Sequence, residues 1–440
     1  MRKILLISLI LLGAFTSNAY AAGYAILEQS AVGVGDAFSG SVVGYGDGSE
    51  VFFNPAAMSQ LKETTFAWQA SLVNLKIDFE DTGSVDSQGN PLLGYPSDGG
   101  ATMPLASAYF THPVTEDLTF GLSFNTPYGF VIDYDRDWIG RYKADESNVK
   151  VITLNPAVSY KVLPNLSIGA NVGVSYVKAT LSNAIDFGSL GQNVLGAERA
   201  SALGLYPQSS DGYAELSGDD WGVNMGLSAL YTYGKDDRNK IGVNWRSRIV
   251  TNIGADAEFE VPENAAFFQD QGLFVNTSAG AHFTLPESIT FGTQYWLTDQ
   301  LAIQAESAWT NWKRFNELRI RYGSNQPDTV ENEKWTDTWR YSLGLVYKPI
   351  EALTLRGGWT YDQSAVFNDY RSPRVPDQNR NWMSFGLGYN ISECTEIFAS
   401  YAYLFVHGAE SRIGDSYGNQ LLGHYDLGIQ LVSIGMKTVF

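Results

Sequence analysis

The feature that most constrains the fold of this 440-residue chain is an alternation of apolar residues with small or polar ones. One run places Leu166, Ile168, Ala170, Val172, Val174 and Tyr176 on one face, and Ser167, Gly169, Asn171, Gly173 and Ser175 on the other. A period of two residues indicates a β-strand with two different faces. Comparable runs predict fourteen strands, which begin near residues 64, 103, 117, 148, 165, 218, 239, 284, 300, 335, 353, 381, 395 and 423.

The connections between these strands alternate in length. Short connections lie at 112–117, 161–165, 234–240, 297–300, 348–352 and 390–396. Long ones lie at about 79–101, 134–147, 184–217, 255–283, 323–334, 363–380 and 408–422. Short turns at one end and long loops at the other are typical of a bacterial outer-membrane barrel. The sequence therefore predicts an all-β fold, a transmembrane antiparallel β-barrel of fourteen strands over residues 64–440. A soluble β-propeller would show a blade repeat instead.

Composition agrees with a barrel and excludes other classes of protein. Charged residues make up 17% of the chain, below the roughly 25% of soluble proteins, and aromatic residues make up 13%. A net charge of −18 argues against nucleic acid as a partner, because phosphate binding needs a basic surface. The single cysteine, Cys394, excludes a disulfide framework and a cysteine-based zinc site.

Both ends of the chain carry export signals. Residues 1–21 combine Arg2 and Lys3, an apolar stretch at 4–14 and the small-x-small sequence Ala19-Tyr20-Ala21. This pattern predicts a signal peptide cleaved after Ala21, since the apolar stretch is too short for a membrane anchor. The final alternating strand ends in Phe440, which is typical of exported barrels and predicts recognition by the barrel-assembly machinery. We therefore expect the protein, as a monomer, in the outer membrane of a Gram-negative bacterium, in contact with its lipid.

Residues 22–63 do not fit the strand pattern. This segment is rich in glycine and ends in Asn54-Pro55-Ala56 before the first predicted strand. About forty residues of this composition cannot bury a core of their own. We predict a plug, or hatch, folded into the lumen, because a fourteen-strand barrel would otherwise be an open pore. The alternative is a periplasmic tail.

The face of the strands opposite the apolar one carries several cations. Arg246, Arg248, Arg340 and Arg356 are predicted to face the lumen, where charge is tolerated. Because a guanidinium group matches a carboxylate in geometry, these arginines are candidates for binding an anionic head group. The alternative is a solvated wall of compensating charges.

Two prolines occur where strands should be regular. Pro127, followed by Tyr128-Gly129-Phe130, lies in the third predicted strand, and Pro156 lies in the fourth. If the connecting loop centres near residue 140 or 141, residue 127 pairs opposite about 154–156. Two residues without an N–H group would weaken this ladder. We predict a kink that opens the wall toward the membrane; the alternative is a pair of β-bulges that only shape the wall.

Several motifs together resemble the FadL family of long-chain fatty acid transporters, which includes aromatic-hydrocarbon uptake proteins. The N-terminal segment, with Glu28-Gln29-Ser30, Gly33-x-Gly35 and Asn54-Pro55-Ala56, resembles the family's plug. The sequence from Asp133 to Tyr142 resembles its loop after the third strand. Thr310-x-Trp312, Phe315-x-Glu317-Leu318 and the stretch from Pro376-Asp377 through Arg380-x-Trp382 to Gly386 resemble later strands. The similarity covers the whole mature chain.

The resemblance implies uptake of hydrophobic small molecules, most simply long-chain fatty acids. Substrate would be captured in an extracellular groove, passed to a lumenal pocket and released sideways through a kinked third strand. Apolar residues of two long loops are the candidates for the groove: Leu190, Val194, Leu195, Leu203, Leu205, Phe267, Phe268, Leu273 and Phe274. The alternative is that they pack against one another. Arg340 matches an arginine of the family's tenth strand, but Thr336 stands where a basic residue sometimes precedes it, so aromatic hydrocarbons remain possible substrates.

Other functions are less well supported by the sequence. His112, His282, His407 and His424 show no metalloprotease spacing, and there is no GxSxG nucleophile motif, so we predict no enzyme activity and no cofactor. A diffusion porin for hydrophilic solutes is a further alternative. Asp133, Asp135 and Asp137 are either a calcium site or a solvated acidic loop. Cys394 is predicted to be a free thiol in a short periplasmic turn.

Overall fold

The structure is a computed structural model and describes residues 23–406 and 408–440; the predicted signal peptide, residues 1–21, lies outside this range. One sheet contains nineteen strand segments. The first ten are β1 (Thr65–Asp81), β2 (Thr102–Pro113), β3 (Leu118–Asp133), β4 (Glu146–Leu163), β5 (Leu166–Asp186), β6 (Asp211–Tyr233), β7 (Asn239–Arg246), β8 (Ile249–Glu260), β9 (Thr277–Leu285) and β10 (Ser288–Trp296). The others are β11 (Leu301–Thr310), β12 (Glu317–Tyr322), β13 (Thr329–Asn332), β14 (Thr338–Ile350), β15 (Leu353–Asp362), β16 (Arg380–Asn390), β17 (Thr395–Val406), β18 (Ala409–Gly414) and β19 (Gln420–Val439).

These segments form a closed barrel of fourteen antiparallel strands, as predicted. Five of the fourteen strands are each interrupted once, so that each of them consists of two segments: β7 and β8, β9 and β10, β11 and β12, β13 and β14, and β17 and β18. The nineteen segments therefore make 19 − 5 = 14 strands. The barrel closes because β1 pairs with both β2 and β19. Observed strand starts lie within seven residues of the predicted ones; the largest differences are Asp211 against 218 and Thr277 against 284.

Four long connections are clearly shorter than predicted, and those expected at 323–334 and 408–422 span only 323–328 and 415–419. The loop expected at 184–217 spans only 187–210, and the loop expected at 255–283 spans only 261–276. The ladder between β5 and β6 continues through polar pairs such as Lys178 with Asp219. Above the membrane both faces of a strand meet water or other loops, so the apolar alternation ends while backbone pairing continues.

The outer wall carries the aromatic rows expected at the two membrane interfaces. On neighbouring strands, Trp245 pairs with Ile289, Ile289 with Trp309, and Trp309 with Trp339, which makes one row across four strands. Tyr347 lies 347 − 339 = 8 residues further along β14, about 26 Å at strand rise, or about 20 Å of depth for a tilted strand. We call Trp245, Trp309 and Trp339 the upper tryptophan row.

In the part of the chain that the structure describes, the α-helices are few and short. They are α1 (Ala31–Gly35), α2 (Glu50–Phe53), α3 (Phe187–Leu195), α4 (Ala197–Ala202) and α5 (Phe267–Asp270). Within residues 23–406 and 408–440, no helix has the length and apolar character needed to span a membrane.

The N-terminal segment, residues 23–63, contacts the inward face of the wall. Residues 30–44 and 47–59 are buried. Ser41 donates hydrogen bonds of 2.8 and 2.7 Å to the carboxylate of Glu306 on β11, which also accepts one of 2.9 Å from the Val42 amide. Glu306 is in turn paired with Arg340 of β14 at 2.7 Å. The segment is thus bonded to the inner wall by a charged pair that it helps to bury.

Candidate functional site

The third strand contains a bulge at Pro127. The register of β3 with β4 runs from Leu118↔Tyr160 to Asn125↔Thr153 and resumes at Tyr128↔Val151. Thr126 and Pro127 therefore oppose the single residue Ile152. Proline has no N–H to donate to the ladder, which explains why the extra residue falls here.

The register corrects the predicted pairing of the two prolines. Pro156 lies opposite Leu122, five residues from Pro127 along β3, and not opposite Pro127 itself. The predicted register placed the centre of the loop at residue 140 or 141, whereas the pair Asp133↔Glu146 places it at 139.5, and the extra residue at Thr126–Pro127 sets these two residues opposite Ile152. Only Pro127 coincides with a change of register between β3 and β4.

Above this bulge, β3 separates from β2. Their register ends at Ala108↔Phe124. β2 continues from Ser107 to Thr102 paired only with β1, and β3 continues from Asn125 to Asp133 paired only with β4. Two strand edges therefore face each other across a gap in the wall.

The start of the N-terminal segment lies along one edge of this gap. The Ile26 amide donates a hydrogen bond of 2.9 Å to the carbonyl of Pro127, and the Gly129 amide donates one of 3.1 Å to the carbonyl of Tyr24. These bonds form an antiparallel bridge at Ala25↔Tyr128. Backbone groups freed by the bulge are thus satisfied by the chain's own N-terminal residues.

Gln29 connects both edges of the gap. Its side-chain carbonyl accepts hydrogen bonds from Ser107 of β2 at 2.8 Å, and from Asn125 and the Thr126 amide of β3 at 3.2 and 3.1 Å. Its amide nitrogen donates to the Thr126 carbonyl at 2.7 Å. Gln29 is 1% exposed, so these bonds are shielded from water.

Tyr24 lies in an aromatic cage. Its ring is within 6.5 Å, centroid to centroid, of the rings of Tyr128, Phe130, Phe283, Trp312, Phe315 and Trp335. Trp312 and Trp335 belong to inward excursions of the wall, between β11 and β12 and between β13 and β14. Burial raises the pKa of Tyr24 well above its ordinary value, so its hydroxyl stays neutral.

Two apolar cavities meet at Tyr24. The first, about 130 Å3, lies behind the gap between β2 and β3, and its walls include Val73, Leu75, Met103, Leu105, Gly129, Phe130, Ile132, Leu404, Val406 and Leu427. The second, about 70 Å3, lies against β4–β6, β8, β9 and β12, and its walls include Val149, Leu181, Leu216, Ile253, Phe283, Leu318 and Ile320. Both touch Tyr24, Phe130 and Val375, so the cage stands between them.

The few polar groups of the second cavity lie at its extracellular side. Glu333 and Arg374 both line it. Burial and, to a smaller extent, the nearby Glu331 raise the pKa of Glu333 to about 8. The indole N–H of Trp335 donates a hydrogen bond of 3.0 Å to a carboxyl oxygen of Glu333. Arg374 is paired with Glu331 at 3.2 Å. A carboxyl group that keeps its proton at neutral pH is thus available beside an apolar cavity.

A third, polar cavity of about 90 Å3 lies beneath residues 25–27. Arg246, Arg340 and Arg380 line it together with Asn244, Asp362 and Trp382. Buried atoms of the last three, Asn244 Oδ1, Asp362 Oδ1 and Trp382 Nε1, have no hydrogen-bond partner in the described part of the protein. Two of the four predicted head-group arginines, Arg246 and Arg340, are therefore together in one polar cavity.

Arg248 and Arg356 do not line any of the three cavities. Arg248 lies in the interruption between β7 and β8, which shifts the alternation by one residue. It is exposed and on the same face as Val250, whereas Ile249 and Thr251 are buried. Its predicted place in the lumen is therefore wrong. Arg356 faces inward but lies toward the short-turn end of β15, near Gly388 and Glu396.

The predicted groove residues lie between the loop at 187–210 and the loop at 261–276. Leu205, Phe268 and Phe274 are buried in one cluster with Phe187, and Leu190, Leu195, Phe267 and Leu273 are half-buried against it. Val194 and Leu203 are exposed at the loop surface. The structure thus brings the two sets of apolar residues into contact, and none of them lines the three cavities.

Asn54-Pro55-Ala56 attaches the N-terminal segment to the wall. Asn54 Oδ1 accepts a hydrogen bond from the Ala56 amide at 3.0 Å, and Asn54 Nδ2 donates to the carbonyls of Val42 and Ala229. Ser159 of β4 and Ser228 of β6 also bond Ala56, each at 3.0 Å. The motif therefore contacts two different strands at one point.

Two other predicted features are the acidic residues Asp133, Asp135 and Asp137 and the single cysteine. Asp133, Asp135 and Asp137 are part of no group of three or more metal-ligating side chains in the ranges that the structure covers; Asp135 accepts a hydrogen bond from Ser97 instead. Cys394 is an exposed free thiol in the short connection between β16 and β17.

Sequence reasoning missed the roles of Tyr24, Gln29, Asp377 and Arg380. Asp377 accepts a hydrogen bond of 2.9 Å from the Gly23 amide, and Arg380 donates one of 3.0 Å to the Gly23 carbonyl while it pairs with Asp377 at 2.9 Å. All four residues belong to stretches that resemble the family. The sequence signal was therefore present, but the contacts of Gln29 with β2 and β3 span 78 to 97 residues, and those of Asp377 and Arg380 with Gly23 span more than 350.

Comparisons with known proteins agree with this architecture. Residues 12–440 match the family described as outer membrane protein transport protein (OMPP1/FadL/TodX). The chain is 27% identical to the long-chain fatty acid transport protein of Escherichia coli O6:H1, over 92% of this chain and 91% of that protein.

Solved structures with the same fold include a Pseudomonas aeruginosa FadL homologue, with a TM-score of 0.86, 22% identity, and coverage of 95% of this chain and 100% of that one. The Pseudomonas putida toluene transporter TodX has a TM-score of 0.66 and 16% identity, with coverage of 96% and 100%. Members of the matched family are transport channels and not enzymes. The chain therefore belongs to the OMPP1/FadL/TodX family of outer-membrane transport proteins for hydrophobic compounds.

Proposed function

We propose that this protein takes up long-chain fatty acids and releases them sideways into the outer membrane through the gap between β2 and β3. The observation that carries the proposal is the position of the first apolar cavity, which adjoins that gap and shares Gly129 and Phe130 with it. An apolar molecule there is separated from the lipid by the N-terminal residues 24–29 and not by a continuous ladder.

The N-terminal segment acts as the plug in this proposal. It is bonded to the inner wall through Glu306 and through Asn54-Pro55-Ala56, while its first residues lie in the gap. The lower part can therefore remain in place while residues 23–29 move. Release requires only the few bonds at Gly23, Tyr24, Ile26 and Gln29 to break.

The polar cavity is suited to a carboxylate head group. Arg246, Arg340 and Arg380 line it, and the unpartnered indole N–H of Trp382 is a further donor for an anion, while the unpartnered oxygens of Asn244 and Asp362 favour bound water. Residues 25 and 26 separate it from the first apolar cavity, so an acyl chain in the apolar cavity would have its head group beside the arginines once residues 24–27 move.

Capture at the cell surface is assigned to the two long loops. Leu203 and Val194 are exposed there above a buried cluster that includes Leu205, Phe268 and Phe274. An apolar surface at loop tips that are otherwise polar is a reasonable first contact for a hydrophobic compound. A small rearrangement of the half-buried residues Leu190, Leu195, Phe267 and Leu273 would enlarge it.

Gly129→Leu tests the release route. A Cβ atom at Gly129 would lie 2.9 Å from the Val149 carbonyl and 3.3 Å from Ile26, so a leucine fills the passage. We expect uptake of radiolabelled palmitate by cells without another transporter to fall roughly tenfold, which corresponds to about 1.4 kcal/mol of added barrier.

Gly254→Leu on β8 is the matched control, because no atom lies within 4 Å of a Cβ there. Both variants should show the heat-dependent shift in electrophoretic mobility of a folded barrel. Normal uptake by a folded Gly129→Leu barrel would refute lateral release at this site.

Uptake of aromatic hydrocarbons by the same route is the second candidate. The cage of six aromatic rings around Tyr24 favours it, because a substrate ring could replace the tyrosine ring. Extraction of the purified protein and identification of its bound compounds by mass spectrometry separates the two substrates. Large, stable ion currents in planar bilayers would instead favour a hydrophilic diffusion porin.

A further inference from the structure

A row of cations lies on the outer wall directly above the upper tryptophan row. Arg248 follows β7, and Lys313 and Arg314 follow β11. We call these three residues the basic row. They occur where strands of the wall are interrupted and the chain turns inward at Trp312 and Phe315.

The side chains of the basic row face outward. Arg248 lies in the interruption between β7 and β8 and is exposed, whereas its neighbour Ile249 is buried. Lys313 and Arg314 lie between two buried aromatic residues that point into the barrel, and their side chains are 64% and 42% exposed. The inward turn that builds the aromatic cage therefore also places these cations on the membrane side of the wall.

Their height is that of lipid head groups. Arg248 is 248 − 245 = 3 residues beyond Trp245, and Lys313 is 313 − 309 = 4 residues beyond Trp309. Both cations therefore lie a few residues beyond the tryptophans that mark the interface, on the extracellular side where the lipid head groups lie. Acyl chains of the same lipid would contact the exposed apolar residues Phe291, Ile303 and Leu343 below.

The charge of the row differs from that of the whole chain. Arg314 pairs with Glu287 and Lys313 with Asp337, both at 2.9 Å, and Arg248 has no carboxylate partner in the described ranges. Three cations thus face two carboxylates, in a protein with a net charge of −18. On the β6–β8 side of the extracellular wall, the outward residues Glu215, Asp219, Asp256 and Glu258 are acidic, with Lys178 the cation beside them.

We propose that the basic row binds the phosphate groups of an anionic lipid in the outer leaflet. Lysine and arginine at the membrane surface attract such head groups, and arginine adds bidentate hydrogen bonds to phosphate oxygens. Asp256 and Glu258 lie further along the strand that follows Arg248 and would repel the same lipid, so binding is confined to the basic row itself. This surface lies outside the transport route and does not depend on the proposed uptake.

The test measures lipid binding to the full-length purified protein by native mass spectrometry. The probes are bisphosphorylated lipid A, lipid A without phosphate, and phosphatidylcholine. The triple variant Arg248→Gln, Lys313→Gln, Arg314→Gln should bind bisphosphorylated lipid A roughly ten- to a hundredfold more weakly than the unaltered protein. Binding of the two probes without a net negative charge should not change.

The matched control removes three exposed extracellular cations: Arg136→Gln, Arg199→Gln, Arg412→Gln. It changes the net charge equally and should bind lipid A normally. Equal affinity of the basic-row variant and the control for lipid A would overturn the proposal. Competition by inorganic phosphate at the same concentration as lipid A would also overturn it, because the row would then be a site for a free anion and not for a lipid.

Discussion

Gln29 donates a hydrogen bond of 2.7 Å from its side-chain amide to the carbonyl oxygen of Thr126, the first residue of the β3 bulge. The same side chain accepts a hydrogen bond from Ser107 on β2. One residue near the N-terminus therefore joins two strands that do not pair with each other at this height. The side chain of Gln29 therefore closes the gap between β2 and β3, because no backbone hydrogen-bond ladder joins the two strands there.

Replacement of Gln29 by leucine should loosen the gap. The variant removes five hydrogen bonds of the Gln29 side chain in a buried site, where each unpaired group costs roughly 1–3 kcal/mol. We expect the Ile26 and Gly129 amides to exchange with deuterium about tenfold faster or more, as measured by mass spectrometry of peptides. Gln88→Leu, in an exposed loop, is the control. Unchanged exchange at these two amides would show that Gln29 does not hold the segment.

The Glu306–Arg340 pair should contribute strongly to stability. Both side chains are buried, so Glu306→Ala leaves a charged guanidinium without its partner and also frees Ser41 and Val42. We expect the free energy of unfolding in urea and detergent to fall by about 3–5 kcal/mol. The exposed pair Glu410–Arg412 is the comparison, and Glu410→Ala should cost less than about 1 kcal/mol. Equal losses would contradict the role of burial.

Adjacent glycines on β15 provide a test of how closely the N-terminal segment approaches the wall. A Cβ at Gly358 would lie 2.0 Å from the Asp36 carbonyl, whereas one at Gly357 would lie 3.8 Å from its nearest neighbour. Gly358→Ala should therefore lower stability by about 1–3 kcal/mol through overpacking, and Gly357→Ala should have little effect. Thermal unfolding of both variants measures the difference. A tolerated alanine at 358 would mean that the segment can move away from β15.

The buried carboxyl of Glu333 should make the packing around Tyr24 sensitive to pH. Its pKa of about 8 lies above the ordinary value of 4.5, so the folded protein favours the protonated form. This contribution to stability is full below about pH 4.5 and is lost as the pH rises through about 8. Glu331, Arg374 and Lys143 are the charged groups that influence it.

We therefore expect the melting temperature to fall by a few degrees between pH 6 and pH 9 in the unaltered protein, with a smaller fall in Glu333→Gln. Tryptophan fluorescence should report the same change, because Trp335 bonds Glu333 directly. A parallel fall in both proteins would assign the pH dependence to other groups.

The sequence alone determined the barrel, because its signals are local. Alternation along runs such as Leu166–Tyr176 depends only on neighbouring residues, and it located every strand to within seven residues. The alternating loop lengths determined which end carries the short turns. Motifs around Asn54 and Arg380 indicated the family, since they are contiguous stretches of sequence.

Only the tertiary structure decided where the wall opens and which arginines share a cavity. The interruption between β7 and β8 shifts the alternation of faces by one residue. The Arg248 side chain therefore lies outside the barrel although the Arg246 side chain lies inside it. The separation of β2 from β3, and the contact of Gln29 with both, join residues about 80 to 100 positions apart. Such contacts arise from the closure of the barrel around the N-terminal segment, and no local pattern encodes them.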